Sequence, residues 1–445
     1  MDNSRRGTKK NKINNNNSAG YTKRVPRQNY NRSAHVEPKV KKRRMGIVAR
    51  ILRKLFGRDK TVIELTRYRE GVDRIFLILI IIMLCLGTVM IFSASYANAL
   101  QYYGDSYFFA KKQLMMAGLG LLAMIVMSYI ADYAKIKKLA LPFFFGTLAL
   151  NYATGIWGKI THGATRWIII FGIQFQPSEL LKLAAVIFFA YYIARVGDKM
   201  KTWRWGIILP MLVVGSIVGA MWLQSHISGL IILGLICVVV MFIGEAPLGF
   251  FAICGSVIVA VVIFIRNYTQ VFADLLIKIT HKAYAADRIL AWIDPFKFPK
   301  DEGYQTIQSL YAIGSGGLTG LGWGQSRQKY LFLPEPQNDF IFSVICEEMG
   351  FIGALIIIVL FILLIWRGFV IAYHAPNKFA SVVVMGITSK VAIQFLLNIA
   401  VVTNTIPNTG ISLPFFSYGG TALIVLMAEM GIILSISRYS YQEKP

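Results

Sequence analysis

The chain has 445 residues, of which 56% are hydrophobic and only 16% charged, and its formal net charge is +25. A soluble protein carries about a quarter charged residues, so this balance excludes a water-soluble globular domain and makes lipid the main solvent. The positive charge is concentrated at one end: residues 1–74 hold 22 Lys and Arg against 6 acids, ahead of the first apolar run.

Residues 1–72 read as a basic tail. Its first part, 1–44, is rich in Asn, Lys, Arg and Ser and includes the run Asn14–Asn17. Too little apolar surface is present to offset chain entropy, so this part is expected to be disordered. Residues 45–58, MGIVARILRKLFGR, differ. Met45, Val48, Ile51, Leu52, Leu55 and Phe56 recur at helical spacing, with Arg50, Arg53, Lys54 and Arg58 on the other face. Such a helix suits an anionic leaflet, each basic residue contributing on the order of 1 kcal/mol. The same charges could equally act only as a topology signal. Anionic lipid headgroups, not nucleic acid, are the expected partner of the tail. No short apolar stretch beside the N-terminal charges marks a signal peptide, so the first span is expected to serve as its own insertion signal.

Spanning the hydrocarbon takes roughly 20 mostly apolar residues. Runs of that kind begin near Phe76, Gln113, Leu139, Leu180, Trp205, Ile227, Leu248, Asn338, Phe379 and Tyr418. They predict an all-α polytopic membrane protein of about ten transmembrane helices over 73–441. Basic residues cluster in alternate loops: Lys135, Lys137 and Lys138, then Arg195, Lys199, Lys201 and Arg204, then Arg367 and Lys378. The positive-inside rule therefore places both termini in the cytoplasm. No internal repeat of the kind that favours an alternating-access transporter is evident.

Cys85, Cys237, Cys254 and Cys346 all lie in apolar runs without a CxxC pair and read as small buried hydrophobes. The five histidines have no zinc-ligand spacing.

Three polar segments fall on the side opposite the basic loops. The largest, about 267–337, separates spans seven and eight, where most loops are far shorter. Gly163–Glu179 precedes the fourth span, and Thr403–Ser417 precedes the last. A shared extracytoplasmic site is the natural expectation. In the second segment Arg166 suits an anion, because its planar fork matches phosphate oxygens. Glu179 and Lys182, three apart on one helical face, are either a structural ion pair or the lining of a wet cavity. Asp339 opens the eighth span and could simply cap that helix. Glu347 and Glu348 lie about two turns deeper, and at least one should face the bundle interior. The stretch Pro407–Gly420, with its two prolines and three glycines, forces irregular backbone near membrane depth, which is tolerated only inside protein or beside a cavity.

The stretches ATRWIIIFGIQFQPSELLKL, GYQTIQSLYAIGSGGLTGLGWGQSRQKYLFLPEPQNDFIFSVICEEMGFIGA and TGISLPFFSYGG together resemble the SEDS family, the FtsW, RodA and SpoVE group, from about residue 74 to the end. The wording is closer to the FtsW/SpoVE branch. The resemblance implies a peptidoglycan glycosyltransferase of the bacterial cytoplasmic membrane that polymerises lipid II at the outer face. It also implies a class B penicillin-binding protein as partner. Such chemistry needs an apolar groove, cations for a diphosphate and a base for the attacking sugar hydroxyl. Arg166 with Lys182 would stabilise the departing diphosphate, and a divalent cation, Mg or Mn, could share that task. Glu179, His226, Asp339 and Ser417 complete the expected substrate-binding set.

The sequence departs from the family at two places. The family's proposed catalytic aspartate lies in a segment reading P-x-x-D-P-x-G-x-G-Y-Q, and in Pro295–Gln305 of this chain Phe298 stands at its position. Phenylalanine cannot accept a proton. Where many members read Q-P-D-x-G-T, this chain has Gln224, Ser225, His226, Ile227, Ser228 and Gly229, so His226 replaces an acid. Three readings follow. Asp301 or Glu302 supplies the base in a rearranged loop, Asp294 being a poorer candidate; or the protein is a scaffold or regulator of its penicillin-binding partner; or it transports lipid II.

Overall fold

The computed structural model describes residues 71–439, apart from 162–163, 171–172, 225, 281–282 and 301–302. The expected disordered tail and its amphipathic helix at 45–58 lie outside the described residues.

The helices in chain order are α1 (Arg74–Tyr103), α2 (Phe108–Ile130), α3 (Tyr133–Trp157), α4 (Pro177–Val196), α5 (Leu209–Leu223), α6 (Ile227–Ile243), α7 (Leu248–Asn267), α8 (Thr269–Thr280), α9 (Ala283–Ile293), α10 (Tyr304–Ser315), α11 (Ile341–Tyr373), α12 (Lys378–Val402) and α13 (Gly420–Ser437). Among the described residues nine are long and apolar enough to cross a membrane, and α6 is a shorter tenth of 17 residues. Every apolar run read from the sequence becomes a helix. α2 and α3 begin earlier than the runs at Gln113 and Leu139, because Lys111, Lys112, Lys135, Lys137 and Lys138 ride in their first two turns. Long aliphatic stems let such residues reach the interface from a helix.

α1 starts at Asp73, whose carboxylate accepts from the Phe76 N–H and caps the helix. Arg367 of α11 grips that carboxylate with Nε at 3.1 Å and Nη2 at 2.6 Å, and the Asp73 N–H donates to Ser437 Oγ of α13. One residue thereby ties three spans together. α4, α12 and α13 are the most enclosed spans, whereas α7 buries none of its residues and is apolar on every side. The four thiols are free: Cys237 and Cys346 are buried, but Cys85 is exposed and Cys254 partly so. For these two the expectation of protein burial is corrected, since lipid can serve as their apolar surroundings.

Two segments expected as loops carry structure. Between α3 and α4 runs a small antiparallel sheet, β1 (Lys159–Thr161), β2 (Ala164–Ile170) and β3 (Ile173–Phe175), in that order. The β-branched run Ile168–Ile170 suits a strand. The long segment before α11 folds into α8, α9, a tight turn at Pro295–Lys297 and α10.

α11 breaks at Gly350, where φ is +65°. The freed backbone groups pair with the segment 317–322: Leu321 and Gly322 N–H donate to the carbonyls of Glu347 and Glu348, and Phe351 and Ile352 N–H donate to those of Gly317 and Leu318. This pairing satisfies a broken helix at membrane depth. A Cβ on Gly350 would lie 2.3 Å from Gly320 N, so only glycine permits the approach. Glu347 and Glu348, just before the break, are both buried with different partners. Glu348 meets Lys329 Nζ at 2.9 Å and Ser93 Oγ at 2.7 Å, while Glu347 accepts from Ser326 Oγ and the Arg327 N–H.

Candidate functional site

A cavity of about 720 Å³ opens at the end of the bundle where α2, α4, α6, α11 and α13 begin. Its walls come from all three polar segments singled out in the sequence.

Pro177 opens the first turn of α4 and sets that helix going, which places Glu179 in the same turn and Lys182 one turn further along. Their side chains meet at 2.6 Å and both line the cavity. The two alternatives from the sequence, ion pair and cavity lining, are both realised. Lys390 of α12 stands 4.0 Å from Glu179 and 2.6 Å from Glu429 of α13. Lys182, Glu179, Lys390 and Glu429 thus alternate in sign along one buried row. Lys390 also lines the cavity, so its floor carries two cations.

Arg166 projects from β2 and reaches the cavity partly buried. His226 sits at the entry to α6, buried, with Nδ1 lacking a hydrogen-bond partner among the described residues. Burial, reinforced by Arg166 and Lys182, pushes the imidazole down to about 3. His226 is therefore a neutral hydrogen-bonding group, not a third cation.

Asp339 does not cap α11. Phe340 holds the cap position without a side-chain bond, so the capping alternative is set aside. Asp339 instead lies in the cavity wall, half-buried. Its backbone is clamped: Asn398 Nδ2 donates to the carbonyls of Asp339 and Ile411, both at 2.7 Å. Ser417 Oγ donates to the Asn338 carbonyl and accepts from the Leu413 N–H, each at 2.7 Å. The Tyr418 N–H donates to the Gln337 carbonyl. The Pro407–Gly420 segment is thereby bolted onto the segment carrying Asp339, and Ser417, although it lines the cavity, spends its hydroxyl on that join. Gly410, at φ +66°, passes so close that a Cβ would sit 3.1 Å from Asp339 Oδ2. Burial and the nearby Glu335 carboxylate raise the Asp339 carboxyl to about 6, against the opposite pull of Arg288 and Arg166.

Asp301 and Glu302 lie outside the described residues. The helix that follows them, α10, is tied to the same rim, because Asn408 Nδ2 donates to Gln305 Oε1 at 2.9 Å and Gln305 Nε2 donates to the Pro334 carbonyl. Phe298 is partly buried at the end of the Pro295–Lys297 turn and is not among the cavity-lining residues.

Sequence reasoning passed over Lys390 and Glu429. The signal was present, since an ionisable side chain inside an apolar span is costly unless it has a partner or a task. It also passed over the aromatic rim, where Tyr103 stacks on Phe108 with centroids 3.8 Å apart and Phe109 meets Tyr418 edge-on at 5.1 Å. Among the described residues no group of three His, Cys, Asp or Glu side chains is placed to hold a metal ion.

Residues 73–442 match the family model FTSW_RODA_SPOVE, described as cell cycle protein. Stage V sporulation protein E of Bacillus subtilis (strain 168) is 37% identical over 380 residues, 84% of this chain and 100% of that protein. The probable peptidoglycan glycosyltransferase FtsW of Geobacter sp. (strain M18) is 37% identical over 371 residues, 83% of this chain and 97% of that protein. Among solved structures, a chain from a peptidoglycan synthase complex of coordinated polymerization and crosslinking is similar, with a TM-score of 0.68 and 26% identity. That likeness covers 84% of this chain and 99% of the other. The rod shape determining protein RodA of Thermus thermophilus matches with a TM-score of 0.59 and 25% identity, over 84% of this chain and 98% of that one.

Proposed function

The chain belongs to the FtsW, RodA and SpoVE family of multi-pass membrane proteins, and from that premise we propose that it is a peptidoglycan glycosyltransferase that polymerises lipid II at the outer face of the cytoplasmic membrane. The observation that carries this reading is one cavity with two cations at its floor, Arg166 in its wall, and carboxylates beside them. Lipid II joins an apolar tail to a diphosphate and a disaccharide. Met115, Met116, Leu423 and Leu426 offer the tail an apolar flank. Arg166 and Lys182 hold the diphosphate and stabilise the charge that grows on it as the glycosidic bond breaks. Neutral His226 hydrogen-bonds to the substrate, and Glu179 keeps Lys182 in place. In this reading these side chains supply positive charge to the diphosphate.

In this reading both termini are cytoplasmic, the basic tail rests on anionic headgroups, and the cavity faces outward. A class B penicillin-binding protein is the partner that cross-links the strands, in keeping with the synthase complex that the fold resembles. The test is to incubate the purified full chain and that partner with labelled lipid II. Glycan strands are expected; their absence under every condition would overturn the assignment. Phe298 favours a second reading, a scaffold without polymerase activity. It predicts an inactive parent protein in which Phe298→Asp restores synthesis, and robust activity of the unaltered chain rejects it.

A further inference from the structure

Glycosyl transfer to a sugar hydroxyl needs a group to take the hydroxyl proton. Three described carboxylates line the cavity: Glu179, Glu335 and Asp339. They are not equivalent. Glu179 lies 2.6 Å from Lys182 and 4.0 Å from Lys390, deep among apolar helices, and its charge is already matched. Protonating it would leave an excess of buried positive charge. Glu335 is exposed at the mouth and accepts a hydrogen bond from Asn338 Nδ2 at 2.7 Å.

Asp339 differs from both. The residue is half-buried in the wall, and its main chain is held on both sides, by Asn398 at its own carbonyl and by Ser417 at the carbonyl before it. Gly410 leaves one carboxylate oxygen room that any side chain would take. The diphosphate-binding side of the cavity is near enough for Arg166 to act on it electrostatically. A carboxylate carried on a main chain held by a rigid frame, open to the cavity and joined to no described cation at ion-pair distance, is the arrangement proton abstraction requires.

We propose that Asp339 is the general base for the attacking sugar hydroxyl, an inference that rests on the glycosyltransferase reading above. The hydroxyl proton passes to the Asp339 carboxylate as the hydroxyl oxygen bonds to the donor's anomeric carbon. The bond from that carbon to the diphosphate breaks, and its electron pair leaves with the lipid diphosphate, which Arg166 and Lys182 stabilise. Water then takes the proton from Asp339. The charged groups acting on Asp339 are Glu335 from the loop before α11, Arg288 from α9 and Arg166 from β2. Their balance with burial leaves the carboxyl at about 6, ionised at neutral pH yet more basic than a free aspartate.

The full chain with its transpeptidase partner is assayed on labelled lipid II alongside Asp339→Asn, Asp339→Glu and the pair Asp301→Asn with Glu302→Gln. Activity of the unaltered chain establishes the glycosyltransferase reading by itself; its complete absence would sink both that reading and this one. Given activity, Asp339→Asn should lower turnover by about 100-fold or more while lipid II binding, measured separately, stays within a few-fold. Asp339→Glu should keep measurable turnover with a displaced acid limb in its pH profile, which a merely structural role would not produce. Retention of most activity in Asp339→Asn overturns the proposal. So does loss confined to the Asp301 and Glu302 pair, which would return the base to that loop. If Asp339→Asn loses lipid II binding together with turnover and Asp339→Glu shows an unmoved acid limb, Asp339 is structural and the proposal is also overturned.

Discussion

Lys390 and Glu429, on neighbouring spans, meet at 2.6 Å with both side chains almost wholly buried. Neither belongs to a recognisable motif, yet together they anchor α12 to α13 beside the cavity that Lys390 lines. Removing one partner of a buried pair costs about 3–5 kcal/mol, because the other charge is stranded, whereas replacing both with apolar groups is close to neutral. Glu429→Leu leaves Lys390 only the longer contact with Glu179, at 4.0 Å, and should therefore lower the thermal midpoint in detergent. Lys390→Met combined with Glu429→Leu should recover most of that loss. A double variant no more stable than the single would show that the pair does not act as a unit.

The break in α11 depends on two glycines touching back to back. At Gly320, φ is +83° and a Cβ would lie 2.2 Å from the Glu348 carbonyl oxygen. Gly320→Ala or Gly350→Ala should each destabilise the fold by about 2 kcal/mol or more. Monodisperse yield on size exclusion checks this, and normal yield from either variant would contradict the packing described.

Asn398 acts through the frame of the site. Its Nδ2 serves two carbonyls at once, those of Asp339 and Ile411. Asn398→Ala leaves both without that donor, at about 1–3 kcal/mol for a buried polar group, and frees the wall carrying Asp339. Turnover on lipid II should fall by about ten-fold or more with KM little changed, since positioning rather than binding is lost. A pure KM effect would place Asn398 in binding instead.

The pH profile has a definite sign. Asp339 must be ionised to take a proton, so kcat/KM should rise with pH through about 6 and level off above it. The Glu335 carboxylate disfavours a second negative charge nearby, so Glu335→Gln should make Asp339 easier to ionise and move the acid limb to lower pH. Movement to higher pH, or none, would mean that another group controls the limb.

Arg166 and Lys182 are not interchangeable cations. Arg166→Lys keeps the charge and loses the fork that fits two phosphate oxygens. Lipid II binding should weaken by about ten-fold while protein yield is unaffected. Equal affinity in the variant would remove the bidentate contact from the proposed site.

The architecture was legible from residue order because apolar runs near 20 residues long have no stable state in water other than burial or lipid. That alone predicted about ten membrane-spanning helices, and Arg166, Asp339 and Ser417 stood out because polar groups near membrane depth need a reason. The same order of residues was silent on partners. Nothing near Lys390 announces Glu429, and nothing near Gly350 announces Gly320, because apolar periodicity says which face is buried but not which neighbour buries it. The difference between Glu179 and Asp339 is likewise tertiary. Both are acids at the start of a span, and only the arrival of Lys182 and Lys390 at one, and of Asn398 and Gly410 at the other, makes the first a neutralised pair and the second an open carboxylate.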